Sequence, residues 1–143
     1  MSKDTKALAL RYHADIFQAR KLEVADEIID PDFKLHSPGM ASEMSRGPEG
    51  VKRLAQAIVA GVPDLQITHE DVIAEDDMVA VRWTMSGTHR GDLFDVPPTD
   101  RAFTITGLNV FRVEDERIVE LWQAWDQFGL LQQIGAVLSP APL

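Results

Sequence analysis

"VKRLAQAIVAGVPDLQITHEDVIAE", residues 51–75, contains the change of rhythm that decides the fold. Its first half repeats apolar side chains every three or four positions: Val51, Leu54, Ala55, Ile58 and Val59. That spacing collects them on one side of a helix. Pro48 and Glu49, just upstream, are both favoured in a helix's first turn, so a helix is predicted from about Pro48 to Ala60. "GVPD" (61–64) ends it, and the period drops to two. "LQITHEDVIAE" (65–75), "MVAVRWTMSGTHRG" (78–91), "RAFTITGLNVFRVE" (101–114) and "RIVELWQAWD" (117–126) read as strands separated by acidic or Pro-rich turns.

Upstream, residues 4–20 place Leu8, Tyr12, Ile16 and Ala19 on one helical face. Residues 21–30 form a second, short helix with Leu22, Ala25, Ile28 and Ile29 inward, stopped by Pro31. "DFKLHS" (32–37) reads as a short strand, and "HSPGMASEMSRGPEG" (36–50) as a loop over the mouth of a pocket. A last helix covers roughly 127–137, with residues 139–143 as a tail. Helices followed by an antiparallel meander indicate an α+β fold with the helices on one side of the sheet.

The 143 residues suit a single domain. Twenty-three acidic against 14 basic residues give a net charge of −9, which repels phosphate backbones and argues against nucleic acid as a partner. No apolar run reaches the roughly 18 residues of a membrane span. The start, "MSKDTKALAL", lacks the long apolar stretch of a secretory signal. Cysteine is absent, which rules out disulfides, zinc–thiolate sites and a cysteine nucleophile and suits a cytoplasmic location. The four histidines show no i, i+4 pair of the zinc-helix type, and the turn carboxylates read as solvating charges, so no metal is expected.

Alternation assigns strand side chains to faces. Val79, Val81, Trp83, Met85, Gly87 and His89 share one, as do Phe103, Ile105, Gly107, Asn109 and Phe111. In the last strand the same rule groups Ile118, Glu120, Trp122, Ala124 and Asp126 against Val119, Leu121, Gln123 and Trp125. Each set assumes an unbroken ladder, because one bulge exchanges every side chain beyond it. Trp83, Phe111 and Trp122 with His89, Asn109 and Asp126 make an apolar wall carrying a few polar groups, the composition of a ligand pocket. The opposite face, with Leu108, Val110, Val119, Leu121 and Trp125, has no helix left to cover it and is expected to form a homodimer. Asp126 has two readings at this point: the N-cap of the last helix, or a carboxylate shielded among aromatics with a raised pKa.

"DFKLHSPG", "GPEGVKRLAQAIVAGVPDLQITHEDVIAEDDMVAVRWTMSGTHRG", "VPPTDR" and "RIVELWQAWDQFGLLQQIGA" resemble the SnoaL-like polyketide cyclases, also called ester cyclases, of the nuclear-transport-factor-2-like, ketosteroid-isomerase-like superfamily. The resemblance runs over about residues 6–138. It implies a cone-shaped, strongly curved, mostly antiparallel sheet with three to four helices around an apolar pocket, and a homodimer. It implies neither metal nor organic cofactor. It maps the family's acid/base carboxylate onto Asp126, a substrate-orienting histidine onto His36 and a further histidine onto His89. The chain departs from the family's habit at two turns, with Asp115-Glu116 for Asp-Gly and Asp100 for Gly.

The expected function is therefore cofactor-independent acid/base chemistry on a small hydrophobic carbonyl compound, either aldol cyclisation or isomerisation. Asp126 and His36 are the catalytic candidates, and His89, Asn109, Trp83, Trp122 and Phe111 the substrate-binding ones. A non-catalytic ligand-binding or accessory dimer is the alternative. Epoxide or lactone hydrolysis is a further one, although Arg82 and Arg112 fall on the face opposite Asp126 by this alternation. His13 and His69 are read as structural.

Overall fold

Five strands form one curved, open sheet in the computed structural model, which describes residues 2–137. The tail expected at 139–143 lies outside the described residues. The strands are β1 (Ile29–His36), β2 (Gln66–Glu75), β3 (Met78–Thr88), β4 (Ala102–Glu114) and β5 (Arg117–Trp125). They lie side by side in the order β1-β5-β4-β3-β2. The meander β2–β5 is antiparallel, as its two-residue period and short turns require, and β1 joins β5 in parallel at the edge. Its register shifts between Ile29 and Lys34, across Pro31, which has no N–H to give the ladder. The four helices are α1 (Ser2–Arg11, continued by a π-helical turn over Tyr12–Gln18), α2 (Val24–Ile28), α3 (Gly47–Gly61) and α4 (Gln127–Gln133). Among the described residues, no helix is long and apolar enough to cross a membrane.

α3 buries Val51, Leu54 and Ala55 of the predicted stripe. The first helix departs from prediction. Its second half widens to i→i+5 hydrogen bonding, with Ala19 N–H donating to Ala14 O at 3.0 Å. The wider turn rotates His13 and Phe17 inward beside Tyr12 and Ile16, and leaves Ala19 exposed.

Two bulges decide which side chains face the core. In β2 the pairing passes from His69↔Trp83 to Asp71↔Arg82, so Glu70 is the extra residue. His69 faces inward with Trp83, while Ile73 beyond the bulge is 67% exposed. In β5 the pairing passes from Val113↔Ile118 to Arg112↔Glu120, so Val119 is the extra residue. Both Ile118 and Leu121 are consequently fully buried. This corrects the alternation predicted for the last strand. Beyond Val119, Leu121 and Trp125 turn inward, and Glu120 and Trp122 turn out. The apolar part of the outer face is therefore Leu108, Val110 and Trp122, not Leu121 and Trp125.

Gly107 lies opposite Trp83, and a Cβ there would sit 2.1 Å from Trp83 Cζ2. The interior glycine thus marks a close approach of ring to backbone. The departures at the turns have a cost: Asp100, Asp115 and Glu116 all adopt positive φ, at 58°, 50° and 62°. A side chain there is disfavoured by roughly 1 kcal/mol relative to glycine.

Candidate functional site

Helices and curved sheet line a narrow, part-open cavity of about 40 Å³. Its walls come from every layer. The π-helical turn gives His13 and Phe17, and α3 gives Leu54 and Ile58. The sheet gives Trp83, Met85, Phe103, Ile105, Gln123 and Trp125. Met40, from the loop predicted to cover the mouth, reaches the cavity, as do Leu93 and Phe94 of the 89–101 segment. Phe94 packs on Trp125 with ring centroids 5.5 Å apart. Among the described residues, the polar side chains on this wall apart from the two indoles are His13 and Gln123.

His13 is 4% exposed, and its ring meets Trp83 edge-on at 5.6 Å. Its Nδ1 lies 3.3 Å from Nε2 of His69, and the two imidazoles stack at 12°. Burial pushes the His13 pKa down to about 3, with the neighbouring His69 adding to the effect. A cation in that wall would lose its hydration without gaining a counter-charge. His69 is lowered as well, by its own partial burial. Gln18 Oε1 accepts the Ile67 N–H and ties the π-helical turn to β2 beside this pair.

Of the residues predicted to form the site, Trp83 stands in the cavity wall and Asn109 stands behind it. Trp83 Nε1–H donates to Asn109 Oδ1 at 3.1 Å, so Asn109 holds the indole rather than contacting the cavity. Phe111 lies deeper, its ring against Tyr12 at 5.4 Å. His89 is fully buried but closed off. Its Nε2–H donates to Val96 O at 3.1 Å, and its Nδ1 accepts from the Thr99 hydroxyl at 3.0 Å. His89 therefore pins the loop that carries Leu93 and Phe94.

Three predicted residues lie elsewhere, and each is a correction. Trp122 is on the outer face because of the Val119 bulge. His36 neighbours it in register, stacks on it at 5.4 Å and bonds Glu120 Oε2 at 2.6 Å. The guanidinium of Arg112 lies 5.5 Å from the Trp122 ring centroid. This cluster faces away from the cavity, because Leu35 points inward and His36 follows it. Asp126 is exposed and caps α4, its Oδ1 accepting the Gly129 N–H at 2.9 Å. It is not a carboxylate shielded among aromatics. Arg82 pairs with Asp71 on the outer face at 2.7 Å, and among the described residues no arginine or carboxylate lines the cavity. Among the described residues, no three His, Cys, Asp or Glu side chains converge as a metal site.

The cap role makes a prediction. Asn caps a helix as well as Asp, so Asp126→Asn should hold stability within a few tenths of a kcal/mol, whereas Asp126→Ala should cost ~1 kcal/mol. Urea denaturation of the two variants checks this. Equal losses in both would show that the carboxylate's charge, not its cap bond, matters.

His13, which stands in the cavity wall, and His69, which contacts it, were both read as structural from the sequence. Signals for both were present. Ala9, His13 and Phe17 repeat at i, i+4 beside the Tyr12–Ile16 stripe, and Leu65, Ile67 and His69 alternate.

A profile of the family described as SnoaL-like polyketide cyclase matches residues 7–134. No curated protein sequence matches the chain. Among solved structures, IdmH of Streptomyces antibioticus, named as a candidate polyketide cyclase, is 35% identical, with 94% of this chain and 99% of that chain covered and a TM-score of 0.77. AclR of Streptomyces galilaeus, named as a candidate hydroxylase, is 25% identical over 99% of this chain and 87% of that chain, with a TM-score of 0.83. TsrD of Streptomyces laurentii shares the fold at a TM-score of 0.84, with 24% identity over 96% of this chain and 98% of that one. The α+β cone, with its helices on the concave side of an open five-stranded sheet, is the nuclear-transport-factor-2-like fold, and the chain belongs to the SnoaL-like polyketide cyclase family.

Proposed function

We propose that the protein is a cofactor-independent cyclase or isomerase that takes a small hydrophobic carbonyl compound into the cavity and moves a proton next to the carbonyl. The observation that carries this reading is the wall: aromatic and aliphatic on all sides, with His13 and Gln123 as its polar side chains besides the indoles. Such a wall strips water from the substrate and leaves few groups to fix its orientation. An enolate formed there meets no bulk water to quench it and can attack a second carbonyl of the same molecule, closing a ring. The proton removed from carbon returns to the new alkoxide, so no oxidant or reductant is consumed. The likeness to IdmH supports the substrate class.

A passive binding pocket is the second reading, favoured by a cavity lining that carries no carboxylate among the described residues. Proton exchange at the α-carbon of a bound ketone separates the two.

Binding itself is tested by calorimetry with 2-tetralone, an aromatic ketone with acidic α-hydrogens. Met85→Trp, which fills the cavity from β3, should weaken binding at least ~10-fold, the loss that ~1.4 kcal/mol of obstruction produces. Equal affinity in the variant would place the ligand elsewhere and remove the proposal.

A further inference from the structure

The proposed reaction needs a group that takes a proton, and the residue expected to do so, Asp126, is a solvent-exposed cap. Resting on the binding reading above, a second observation names a different group. His13 stands on the cavity wall, its Nδ1 at 3.3 Å from Nε2 of His69. His69 is half-buried on β2. Among the described residues, the contact with His69 is the one hydrogen bond of the His13 ring. Its Nε2 has no partner among the described residues, and the ring lines the cavity.

We propose that His13 and His69 form a proton relay between cavity and solvent, with His13 as the catalytic base and acid and His69 as the group that passes the proton on. The 3.3 Å contact joins two nitrogens, so exactly one proton lies between them when both rings are neutral. In one tautomer His13 Nδ1–H donates to His69 Nε2, and His13 Nε2 presents a lone pair to the cavity. That lone pair takes the substrate's α-proton, and the C–H electron pair becomes the enolate. In the same movement Nδ1 gives its proton to His69 Nε2, and His69 releases the proton on its own Nδ1 to water. The opposite tautomer results, with His13 Nε2–H facing the cavity, ready to reprotonate the product oxygen or carbon. Running the transfers backward restores the first state. The bonds that change are the substrate's C–H, the N–H bonds and an O–H of water, and in the product either a new C–H or the ring's new C–C and O–H with loss of the carbonyl π bond.

The relay also accounts for an otherwise awkward combination. A histidine so buried resists becoming a cation and would be a poor base alone. Passing one proton on as it gains another keeps His13 neutral, and the charge emerges at the more hydrated ring. The π-helical turn and the Glu70 bulge are the two irregularities that bring these rings together. Irregularities of both kinds recur at functional sites.

The test follows deuterium uptake at the α-carbons of 2-tetralone in D₂O by NMR, with calorimetric binding as the control. The wild-type protein should bind the ketone and speed exchange above buffer. His69→Gln, whose amide can still bond to His13 but cannot relay a proton, should bind within twofold of wild type and lose exchange at least ~10-fold, about 1.4 kcal/mol of barrier. His13→Gln should lose it too. In His69→Ala, added imidazole should restore part of the exchange, which a merely structural role would not show. Wild-type exchange rates in His69→Gln, or a wild type that binds the ketone without exchanging it, would overturn the relay and leave the binding reading intact. A wild type that does not bind the ketone would overturn both.

Discussion

Acidification from pH 7 to pH 5 is expected to cost the fold about 2 kcal/mol through His13 alone. The imidazole titrates near its ordinary 6.5 in the unfolded chain and near 3 in the folded one, because burial disfavours its cation. Between those values the unfolded chain binds the extra proton and the folded protein does not, so each step down in pH favours unfolding. The contribution is whole above about pH 6.5, shrinks steadily below it, and stops falling near pH 3. His69, lowered by its partial burial, adds loss in the same direction. For a domain stable by about 5–15 kcal/mol this is a large share. Urea denaturation at pH 7 and pH 5, for the wild type and His13→Gln, measures it. The variant should show about 2 kcal/mol less pH-dependent loss, whatever its stability at pH 7. The same pH dependence in both proteins would mean that His13 is hydrated enough to protonate in the folded state.

Trp83→Ala is expected to cost about 4 kcal/mol, near the upper end for a buried aromatic. Three things go at once. The side chain, 2% exposed, leaves a void between His13 and the sheet. The indole no longer covers Gly107, whose missing side chain exists to admit it. Asn109, fully buried, loses its one hydrogen bond, and its Nδ2 already has no partner among the described residues. Leaving that acceptor unpaired costs about 1–3 kcal/mol. Trp83→Phe isolates this share, and Trp83→Phe with Asn109→Leu should recover most of it, since removing both polar partners is nearly neutral. Thermal or urea unfolding of the three variants decides it. A double variant no more stable than Trp83→Phe would show that the hydrogen bond contributes little and that volume accounts for the loss.

The helical stripe of α3, the four antiparallel strands and the burial of Trp83, Phe103, Ile105, Asn109 and Phe111 were legible in residue spacing. Hydrophobic period is imposed by which face each element must hide, and those stretches are regular. The inward face of β5 and the inward turn of His13 were not legible, for one shared reason. A bulge or a π-helical turn adds a residue to the repeat, and one residue is enough to move Trp122 outward and Trp125 inward. Nothing local in "RIVELWQAWD" announces the bulge at Val119. It is chosen because Ile118 and Leu121 are both buried on the same side of the sheet, two intervening residues apart. Asp126 shows the same limit in another form. A carboxylate between an aromatic strand and an apolar helix fits both a cap and an acid, and only the direction of its side chain selects one.

By itself, then, the sequence determined the order of elements and the apolar character of the interior, which follow from period and composition along the chain, and the family, which its motifs carry by resemblance. The tertiary structure alone decided which polar groups stand at the cavity. That depends on how two irregular segments meet: His13 on a widened turn and His69 before a bulge are 56 residues apart in the chain and 3.3 Å apart in the fold.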